Sequence, residues 1–369
     1  MATELDPQIV ERLRGVMEPD FRASIVDLKM ITQASSSRNK AHVEIATLKP
    51  LPDYADELEG MVVDALKDYY KDIKVRILPG SESAIEAIAE ALVSIEGTAA
   101  AAARLERKPP FSAGNSPTRV IGISSGKGGV GKSSVTVNLA VALAKMGNEV
   151  GLLDADVYGF SVPAMLGIER KPQLIGNLMV PPVGHGVKVM SVGFFVSDDT
   201  PVIWRGPMLH KTLEQFIIDV FWGKLDYLLI DMPPGTGDVA LSLGEYLPKS
   251  EVFVVTTPQL AAERVAQRSA LAARKLKLPV RGVIENMSYF VGDDGKKYEI
   301  FGSGGGKALA ESLSVPLVGK IPLSVTLREG GDSGVPEASG KGPEEFLELA
   351  QRIIDMGPAR RYRSELKVN

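Results

Sequence analysis

The strongest restriction on the architecture of this chain comes from a glycine-rich run in its middle, Gly126-Lys127-Gly128-Gly129-Val130-Gly131-Lys132-Ser133. The run fits the pattern G-x-x-x-x-G-K-[ST], and it stands between the apolar run VIGISS and the amphipathic run KSSVTVNLAVALAKMG. Glycines let a backbone curl so that successive N–H groups point at phosphate oxygens, and a following helix presents its positive dipole end to the same anion. A strand, a glycine turn and a helix in this order predict a phosphate-binding loop.

Each residue type in this loop has an expected task. Lys132 should hold the β- and γ-phosphates of ATP, and the hydroxyl of Ser133 should ligate Mg²⁺. A glycine-rich turn that only caps a helix is the alternative, and the flanking strand and helix argue against it. The residues expected to bind the nucleotide are Gly126, Lys127, Gly128, Gly129, Val130, Gly131, Lys132, Ser133 and Ser134.

Acidic residues at the ends of later strands complete the predicted site, because a phosphate loop alone does not organise Mg²⁺ and water. The run YLLIDMPPGTGD places Asp231 after a strand, as a Walker B carboxylate that holds Mg²⁺ through water, and residues 235–238 follow as a mobile switch. The run VGLLDADVYGFSVP places Asp154 at a strand end and Asp156 just beyond it. We expect Asp156 to orient the attacking water, whereas Asp154 could be structural. A single aspartate at a strand end is more often a cap or turn residue, but three in this order make coincidence a poor explanation.

The alternation of strand-like and helix-like runs indicates the fold class. Over residues 118–356 apolar strand runs alternate with helical runs, which predicts an α/β fold with a parallel sheet flanked by helices. Residues 1–97 predict a small α+β domain, 98–117 a linker and 357–369 a basic C-terminal tail.

Composition excludes several functions. The 369 residues contain no cysteine, which removes disulfides, thiolate catalysis and cysteine-ligated metal centres. A net charge of −4 gives no indication of a nucleic-acid partner. The chain shows neither a signal-peptide pattern nor an apolar run long enough to span a membrane. We therefore expect a cytoplasmic protein without nucleic-acid or membrane partners.

The loop carries a second lysine, Lys127, and the resulting run KGGVGKS resembles the deviant Walker A motif of SIMIBI-type P-loop NTPases. These include the nitrogenase iron protein and the partition and cell-division ATPases. The resemblance implies that Lys127 reaches across a dimer to the partner's phosphates, as an arginine finger would. Lys127 is thus grouped with Lys132 and Asp156 as catalytic, and a solvated surface lysine is the alternative.

Further motifs extend the resemblance over nearly the whole chain. The runs DADVYGFSVP, WRGPM, DMPPGTGD, TTPQ, ENMSYF, FGSGGG and REGGDSG resemble the Mrp/NBP35 (ApbC) family of iron–sulfur cluster carrier ATPases. The run EPDFRASIVDLKMI resembles the MIP18 (DUF59) domain that members often carry at the N-terminus. The resemblance implies Mg·ATP hydrolysis by a homodimer, iron–sulfur client or carrier proteins as partners, and contact of Asn286 with adenine.

The resemblance also implies a [4Fe–4S] cluster, bridged between subunits by a C-x-x-C pair just after ENMSYF. In this chain the stretch reads Phe290-Val291-Gly292-Asp293-Asp294-Gly295-Lys296, without a cysteine. Carboxylates are hard ligands, so Asp293 and Asp294 are predicted to form a polar turn with Gly292 and Gly295. Cluster ligation by this chain is therefore unsupported by its residues.

Two functional hypotheses remain open. One is an ATPase that serves iron–sulfur assembly through a client or another carrier, which the whole-chain resemblance favours. The other is an ATP-switched scaffold or positioning ATPase of the partition or cell-division type, which the absent thiols favour. Outside these motifs, His185 is predicted to lie in a turn, and FGSGGGKA is predicted to be a flexible connection because it fails the spacing of a phosphate loop.

Overall fold

A computed structural model describes residues 5–48, 51–97, 104, 106–111, 116–157, 159–176, 178–196, 206–235, 238–340 and 344–359, with the backbone alone at 206, 238 and 260–264. The chain divides into two compact units. Unit 1 comprises Met1–Arg107, Lys171–Val183 and Asp219–Gly223, and unit 2 comprises Lys108–Arg170, Gly184–Ile218 and Lys224–Asn369.

The strands and helices of the described residues have the following bounds. The strands are β1 Met17–Glu18, β2 Ala23–Ser24, β3 Ile31–Ser37, β4 Lys40–Thr47, β5 Asp72–Pro79, β6 Arg119–Ser125, β7 Val150–Asp154, β8 Gln173–Ile175, β9 Leu178–Val180, β10 Val183–Gly184, β11 Val187–Ser191, β12 Tyr227–Asp231, β13 Glu251–Thr256, β14 Val280–Glu285, β15 Phe290–Val291, β16 Lys297–Tyr298 and β17 Leu317–Lys320. The helices are α1 Pro7–Arg12, α2 Ala55–Leu66, α3 Glu82–Glu96, α4 Lys132–Lys145, α5 Val162–Met165, α6 Gly206–Ile218, α7 Asp238–Tyr246, α8 Leu260–Lys275, α9 Gly305–Leu313, α10 Val325–Ser333 and α11 Glu344–Asp355.

An eight-stranded sheet, of order β10-β11-β7-β12-β6-β13-β14-β17, forms the centre of unit 2. The pairs from β11 to β17 are parallel. Strands β6, β7 and β13 are buried along their whole lengths, which explains why their sequences are continuous apolar runs rather than alternating ones. The predicted α/β fold with a mainly parallel sheet flanked by helices is confirmed.

The register of the central strands brings their polar ends together. Asp231 of β12 lies opposite Asp154 of β7, and Asp154 lies opposite Ser191 of β11. Carboxyl ends of parallel strands meet at one edge of a sheet, and ligands of such folds bind outside that edge. The functional residues should therefore be sought there.

Unit 1 is built on a three-stranded sheet of order β3-β4-β5, in which β3 pairs with β4 antiparallel and β4 with β5 parallel. Helix α2 forms the crossover between the parallel strands and buries Leu58, Val62 and Leu66 against this sheet. The described residues of 5–97 thus combine helices with a mixed three-stranded sheet, which is an α+β arrangement.

The core of unit 1 also takes up two segments from later in the sequence. Ile175, Leu178, Val180 and Phe221 belong to the same buried cluster as the residues of β4 and α2. The hairpin β8–β9 is joined to the second segment by hydrogen bonds from Met179 N to Asp219 O, 2.9 Å, and from Phe221 N to Met179 O, 2.7 Å. No local pattern in residues 171–183 or 219–223 predicts this arrangement.

Residues of the EPDF run hold these later segments in place. Phe21 packs edge-on against Phe221, with ring centroids 6.4 Å apart, and Asp20 Oδ1 accepts a hydrogen bond from Val183 N at 3.2 Å. Arg107, from the predicted linker, pairs with Asp219 at 2.7 Å. Within the described parts of the chain, no helix has the length and apolar character needed to cross a bilayer.

Candidate functional site

The glycine-rich loop connects β6 to α4, as predicted. Gly129 and Gly131 have φ angles of +78° and +75°, a conformation that residues with a Cβ rarely adopt. Gly126 lies so close to α8 that a Cβ at this position would be 2.2 Å from the backbone nitrogen of Ala266. Glycine is therefore required at these positions by the backbone itself.

Lys132, the first residue of α4, is nearly buried and lies between two carboxylates. Its Nζ is 2.7 Å from Asp231 Oδ2 and 3.5 Å from Asp156 Oδ2. A buried ammonium needs compensating negative charge, and these two aspartates supply it. Asp231 and Asp156 are the carboxylates that the sequence predicts at and just beyond strand ends beside the glycine-rich loop.

Asp231 is fully buried and is held by two hydroxyls from α4. Ser133 Oγ donates to Asp231 Oδ2 at 2.5 Å, and Thr136 Oγ1 lies 2.8 Å from Asp231 Oδ1. Residues three apart on a helix face the same side, so one helix face fixes both oxygens of the carboxylate. Ser133 Oγ and Asp231 Oδ2 are hard oxygen ligands that converge on one point, and they fit Mg²⁺ together with phosphate oxygens and water.

Asp154 connects two polar residues next to the site by hydrogen bonds. Its Oδ2 accepts a hydrogen bond from Ser191 Oγ at 2.9 Å, and its Oδ1 accepts one from Asp156 N at 3.2 Å. Burial, reinforced by the neighbouring charge of Asp231, raises the pKa of Asp154 to about 8. Asp154 thus orients the backbone that carries Asp156, which fits the structural role left open for it.

Lys127 has an exposed side chain on the outer part of the loop, beside the exposed Gly128 and Gly129. Its side chain is therefore accessible to groups outside the chain.

Asn286 follows β14 and fastens the glycine-rich loop. Its Nδ2 donates to Val130 O at 2.9 Å, and a Cβ on Gly131 would lie 2.2 Å from the same nitrogen. Its Oδ1 is buried and has no hydrogen-bond partner. Buried polar atoms in proteins are nearly always hydrogen-bonded, so this oxygen indicates a hydrogen-bond donor from a bound molecule.

A cavity of about 620 Å³ opens beside Asn286 and the start of α4. Its lining is mainly apolar, which suits the planar base and the sugar of a nucleotide. The lining residues are Gly131, Ser134, Ser161, Ala164, Met165, Asn286, Met287, Pro322, Leu323, Ser324, Leu327, Arg328, Gly331 and Asp332. Sequence reasoning identified Asn286 and Ser134 but missed the apolar wall, because its members come from separate loops without a shared motif.

Residues 235–238, the predicted mobile switch, are only partly within the described residues. Gly235 is anchored by hydrogen bonds from its N to Ser125 O and from Ser269 Oγ to its carbonyl, both 2.9 Å. Thr236 and Gly237 lie outside the described residues, as do Trp204 and Arg205 of the WRGPM run. The described part of the switch therefore begins directly beside the glycine-rich loop.

Two of the three histidines, His185 and His210, are held by contacts within the fold. His185 lies in a turn with φ +50°, as predicted, and its Nε2 is 3.0 Å from Gly334 O. His210 of α6 bridges to α7, with its two ring nitrogens 2.8 Å from Ser242 Oγ and 2.7 Å from Tyr246 OH.

An iron–sulfur cluster does not fit the residues present. The chain has no cysteine, and the described side chains contain no group of three or more histidines and carboxylates arranged to hold a metal. Thiolates are the usual ligands of such clusters.

Comparison with known proteins places this chain among P-loop NTPases. A family described as ParA, NUBPL iron-transfer P-loop NTPase, matches residues 116–356. The iron-sulfur cluster carrier protein of Mycobacterium leprae (strain TN) is 46% identical over 349 residues, 91% of this chain and 88% of the relative. The protein of the same description from Escherichia coli (strain K12) is 44% identical over 251 residues, 67% of this chain and 68% of the relative.

A solved structure extends the likeness to three dimensions. The nucleotide-binding protein from Archaeoglobus fulgidus, in complex with ADP, is 34% identical and superposes with a TM-score of 0.54 over 66% of this chain and 93% of that chain. With a family match over most of its length and a relative 46% identical across nearly all of both chains, this chain belongs to the family of NUBPL-type iron-transfer P-loop NTPases and is an ATPase of that family.

Proposed function

We propose that this protein hydrolyses Mg·ATP as a nucleotide-gated homodimer and that it serves the assembly or transfer of iron–sulfur clusters through client or carrier proteins. The observation that carries the proposal is the convergence of Lys132, Ser133 and Asp231 beneath a glycine-rich loop. Relatives over most of the chain are named iron-sulfur cluster carrier proteins, which supports the second half of the proposal.

The binding step follows from the charges of the site. Loop N–H groups and the N-terminal N–H groups of α4 donate hydrogen bonds to the β- and γ-phosphates, and Lys132 exchanges part of its carboxylate contact for phosphate oxygens. Ser133 and Asp231 would hold Mg²⁺, which neutralises charge on those oxygens when it is bound. The base would enter the cavity beside Asn286, whose unpartnered Oδ1 can accept a hydrogen bond from an adenine amino group.

The hydrolysis step needs an oriented water molecule. Asp156 lies 3.5 Å from Lys132 Nζ and is held by Asp154, so its carboxylate is positioned near the end of the phosphate chain. Water adds to the γ-phosphorus, the bond to the β–γ bridging oxygen breaks, and ADP and inorganic phosphate leave. Lys127, exposed on the loop, would stabilise the developing charge in the second subunit.

Complementation tests the proposed client role. In cells that lack the gene, we expect lower activity of iron–sulfur enzymes, restored by the wild-type chain and not by Lys132→Ala at equal abundance. Unchanged iron–sulfur enzyme activity after deletion would contradict the iron–sulfur part of the proposal while leaving the ATPase part intact.

A second candidate function, an ATP-switched scaffold of the partition or cell-division type, is favoured by the absence of cysteine. In that case ATP joins two subunits and hydrolysis separates them, so that the bound nucleotide times a partner's attachment. The test is to isolate the proteins that bind an Asp156→Ala variant that retains ATP, with and without ATP present. If the same proteins are recovered in both cases, the scaffold function is contradicted.

We also propose that residues 1–97 form a MIP18-like protein-docking domain, followed by the linker 98–117, the ATPase domain 118–356 and the basic tail 357–369. Most of the linker and residues 360–369 lie outside the described residues. We expect the protein to act in the cytoplasm without nucleic-acid or membrane partners.

A further inference from the structure

We propose that the hairpin β15–β16 is a closed turn that excludes an iron–sulfur cluster, so that any cluster this ATPase handles is held wholly by thiolates of a partner protein. The inference rests on the proposed iron–sulfur function and specifies the chemistry of its partner. It is carried by the contacts of residues 290–298, where a C-x-x-C pair would be expected.

The turn is closed by its own hydrogen bonds. Gly292 N donates to Lys296 O at 2.9 Å, and Gly295 N donates to Gly292 O at 2.8 Å. Asp294 adds two side-chain bonds, because it accepts from Lys296 N at 3.0 Å and from Tyr298 OH at 2.9 Å. The polar groups that an open ligand loop would turn toward a metal are thus used within the turn.

The two glycines have the three-residue spacing of a C-x-x-C pair but not the space for one. A Cβ on Gly292 would lie 2.8 Å from Tyr298 Cε2 and 3.0 Å from Asp294 Oδ1. Gly295 has a φ of +73°, which strains any residue with a Cβ. A cysteine at Gly292 would displace the Tyr298 ring and the Asp294 carboxylate that closes the turn, and a cysteine at Gly295 would strain the backbone, so the turn could not keep its present form.

The charge of the turn also opposes a thiolate cluster. The backbone hydrogen bond from Lys296 holds the pKa of Asp294 below its usual range, so this carboxylate is ionised at neutral pH. A thiol beside Asp293 and Asp294 would lose protons less readily, and the thiolate is the form that binds iron. The turn thus differs from a cluster-binding loop in its hydrogen bonds, its glycine conformations and its negative charge, and not only in the absence of cysteine.

A partner must then supply all the ligands. His185 and His210 are engaged with Gly334, Ser242 and Tyr246, and His42 lies within β4. Across the described side chains no alternative group of metal ligands exists. The contribution of this chain is accordingly confined to nucleotide-driven binding and release of a protein that keeps its own thiolates on the iron.

Anaerobic reconstitution with ferrous iron and sulfide tests the closed turn. We expect the wild-type full chain to retain no iron and no acid-labile sulfide after desalting, and the Gly292→Cys/Gly295→Cys variant to retain less than about one tenth of a cluster per dimer. A stoichiometric cluster on either protein would overturn the proposal. ATP hydrolysis by the same preparations reports folding, and its absence in the wild type would overturn the proposed ATPase function instead.

A second experiment tests where the cluster resides and does not depend on the cysteine variant. The wild-type chain, with ATP, is mixed with a cluster-loaded carrier protein whose ligands are all cysteines, and the two proteins are separated by size. We expect the iron, the sulfide and the carrier's visible spectrum to remain with the carrier. Iron and sulfide found on this chain after separation would overturn the proposal.

Discussion

Lys132 is the residue whose charge dominates the nucleotide site, since its Nζ lies within 3.5 Å of carboxyl oxygens from both Asp156 and Asp231. We expect Lys132→Ala to abolish ATP binding or to lower turnover by at least about 10²-fold, because the phosphates lose their cation and two buried carboxylates lose theirs. Calorimetric titration with ATP and a phosphate-release assay measure the two effects. If Lys132→Ala bound and hydrolysed ATP as the wild-type protein does, the assignment of Lys132 to the nucleotide site would be wrong.

Lys127 provides the matched comparison, because it belongs to the same loop but is exposed. We expect Lys127→Ala to keep ATP affinity within a few-fold and to slow hydrolysis by about 10³-fold, the lower end of the effect of fingers supplied in trans. Single-turnover phosphate release at saturating ATP is the measurement. If Lys127→Ala hydrolyses ATP at the normal rate, the cross-subunit role is wrong.

Glu18 of unit 1 predicts a pH dependence of stability. It is buried and accepts hydrogen bonds from Phe21 N, at 2.7 Å, and from Tyr54 OH, yet burial raises its pKa from 4.5 to about 7. Between pH 4.5 and about 7 the folded state therefore binds more protons at Glu18 than the unfolded state does. The free energy of unfolding should fall as pH rises through this range, by on the order of 3 kcal/mol.

Glu18→Gln should remove most of this dependence and make the variant the more stable protein at alkaline pH. Urea unfolding followed by fluorescence of Trp222, which is buried in unit 1, is the measurement. Replacing Trp204, the other tryptophan of the chain, by phenylalanine isolates the signal. Parallel stability curves against pH for the wild-type protein and the Glu18→Gln variant would contradict the assignment.

The residues of the site differ in how well the sequence predicts them. Lys132, Ser133, Asp156 and Asp231 belong to motifs whose spacing reflects a required backbone path, so they could be placed beforehand. Ser191 ends an ordinary apolar strand, and only the parallel pairing of β11 with β7 brings it to Asp154. Such a contact depends on strand order, which no local pattern encodes.

At the scale of elements, a buried charge network joins α11 to the sheet. Glu251, at the start of β13, pairs with Arg119 and lies 2.9 Å from Arg281 Nε. The same arginines donate to the carbonyls of Ile353, Met356 and Gly357 at the end of the helix. The Glu251 carboxylate thus neutralises the two arginines that hydrogen-bond to the C-terminal end of α11.

Glu251→Gln should destabilise unit 2 by about 3–5 kcal/mol, because it leaves two arginines without their counter-charge. Denaturant unfolding measures the loss, and hydrogen exchange should show it first in α11. Glu348→Gln, which removes an exposed pair with Arg352, is the control and should cost less than about 1 kcal/mol. Equal effects of the two substitutions would contradict a structural role for the network.

The FGSGGG run shows where element-level prediction from sequence was wrong. It was expected to be a flexible connection, but Gly305 and Gly306 begin α9 in close contact with neighbours. A Cβ on Gly305 would lie 2.4 Å from Pro258 O, and Gly306 N donates to Glu285 Oε2 at 2.7 Å. The helix start thus receives an internal carboxylate from a residue 21 positions earlier, and that pairing depends on the fold.

At the scale of the whole chain, unit 1 depends on segments that the sequence places inside the ATPase part. The runs at 171–183 and 219–223 carry no signal that links them to residues 1–107, because their partners are distant in sequence. The fold class and the phosphate site could be predicted, since each follows from local patterns. The composition of unit 1 could not.

A fragment of residues 108–369 should therefore be less stable than the full chain. It exposes Ile175, Leu178, Val180 and Phe221, which are at most 8% exposed in the intact protein. We expect it to bind a hydrophobic dye and to self-associate in analytical ultracentrifugation, and we expect polar substitution of these four residues to reverse both effects. A fragment that is monodisperse and free of dye without the substitutions would contradict this dependence.

The late position of Asp219–Gly223 also sets an order for synthesis. A ribosome has to translate and release Gly223 before the first hundred residues can finish folding, and the nucleotide loop has left the exit tunnel by then. Residues 1–107 thus stay incompletely packed while the chain up to Gly223 is made, and during that time chaperones can bind the apolar surface that residues 171–183 and 219–223 later cover.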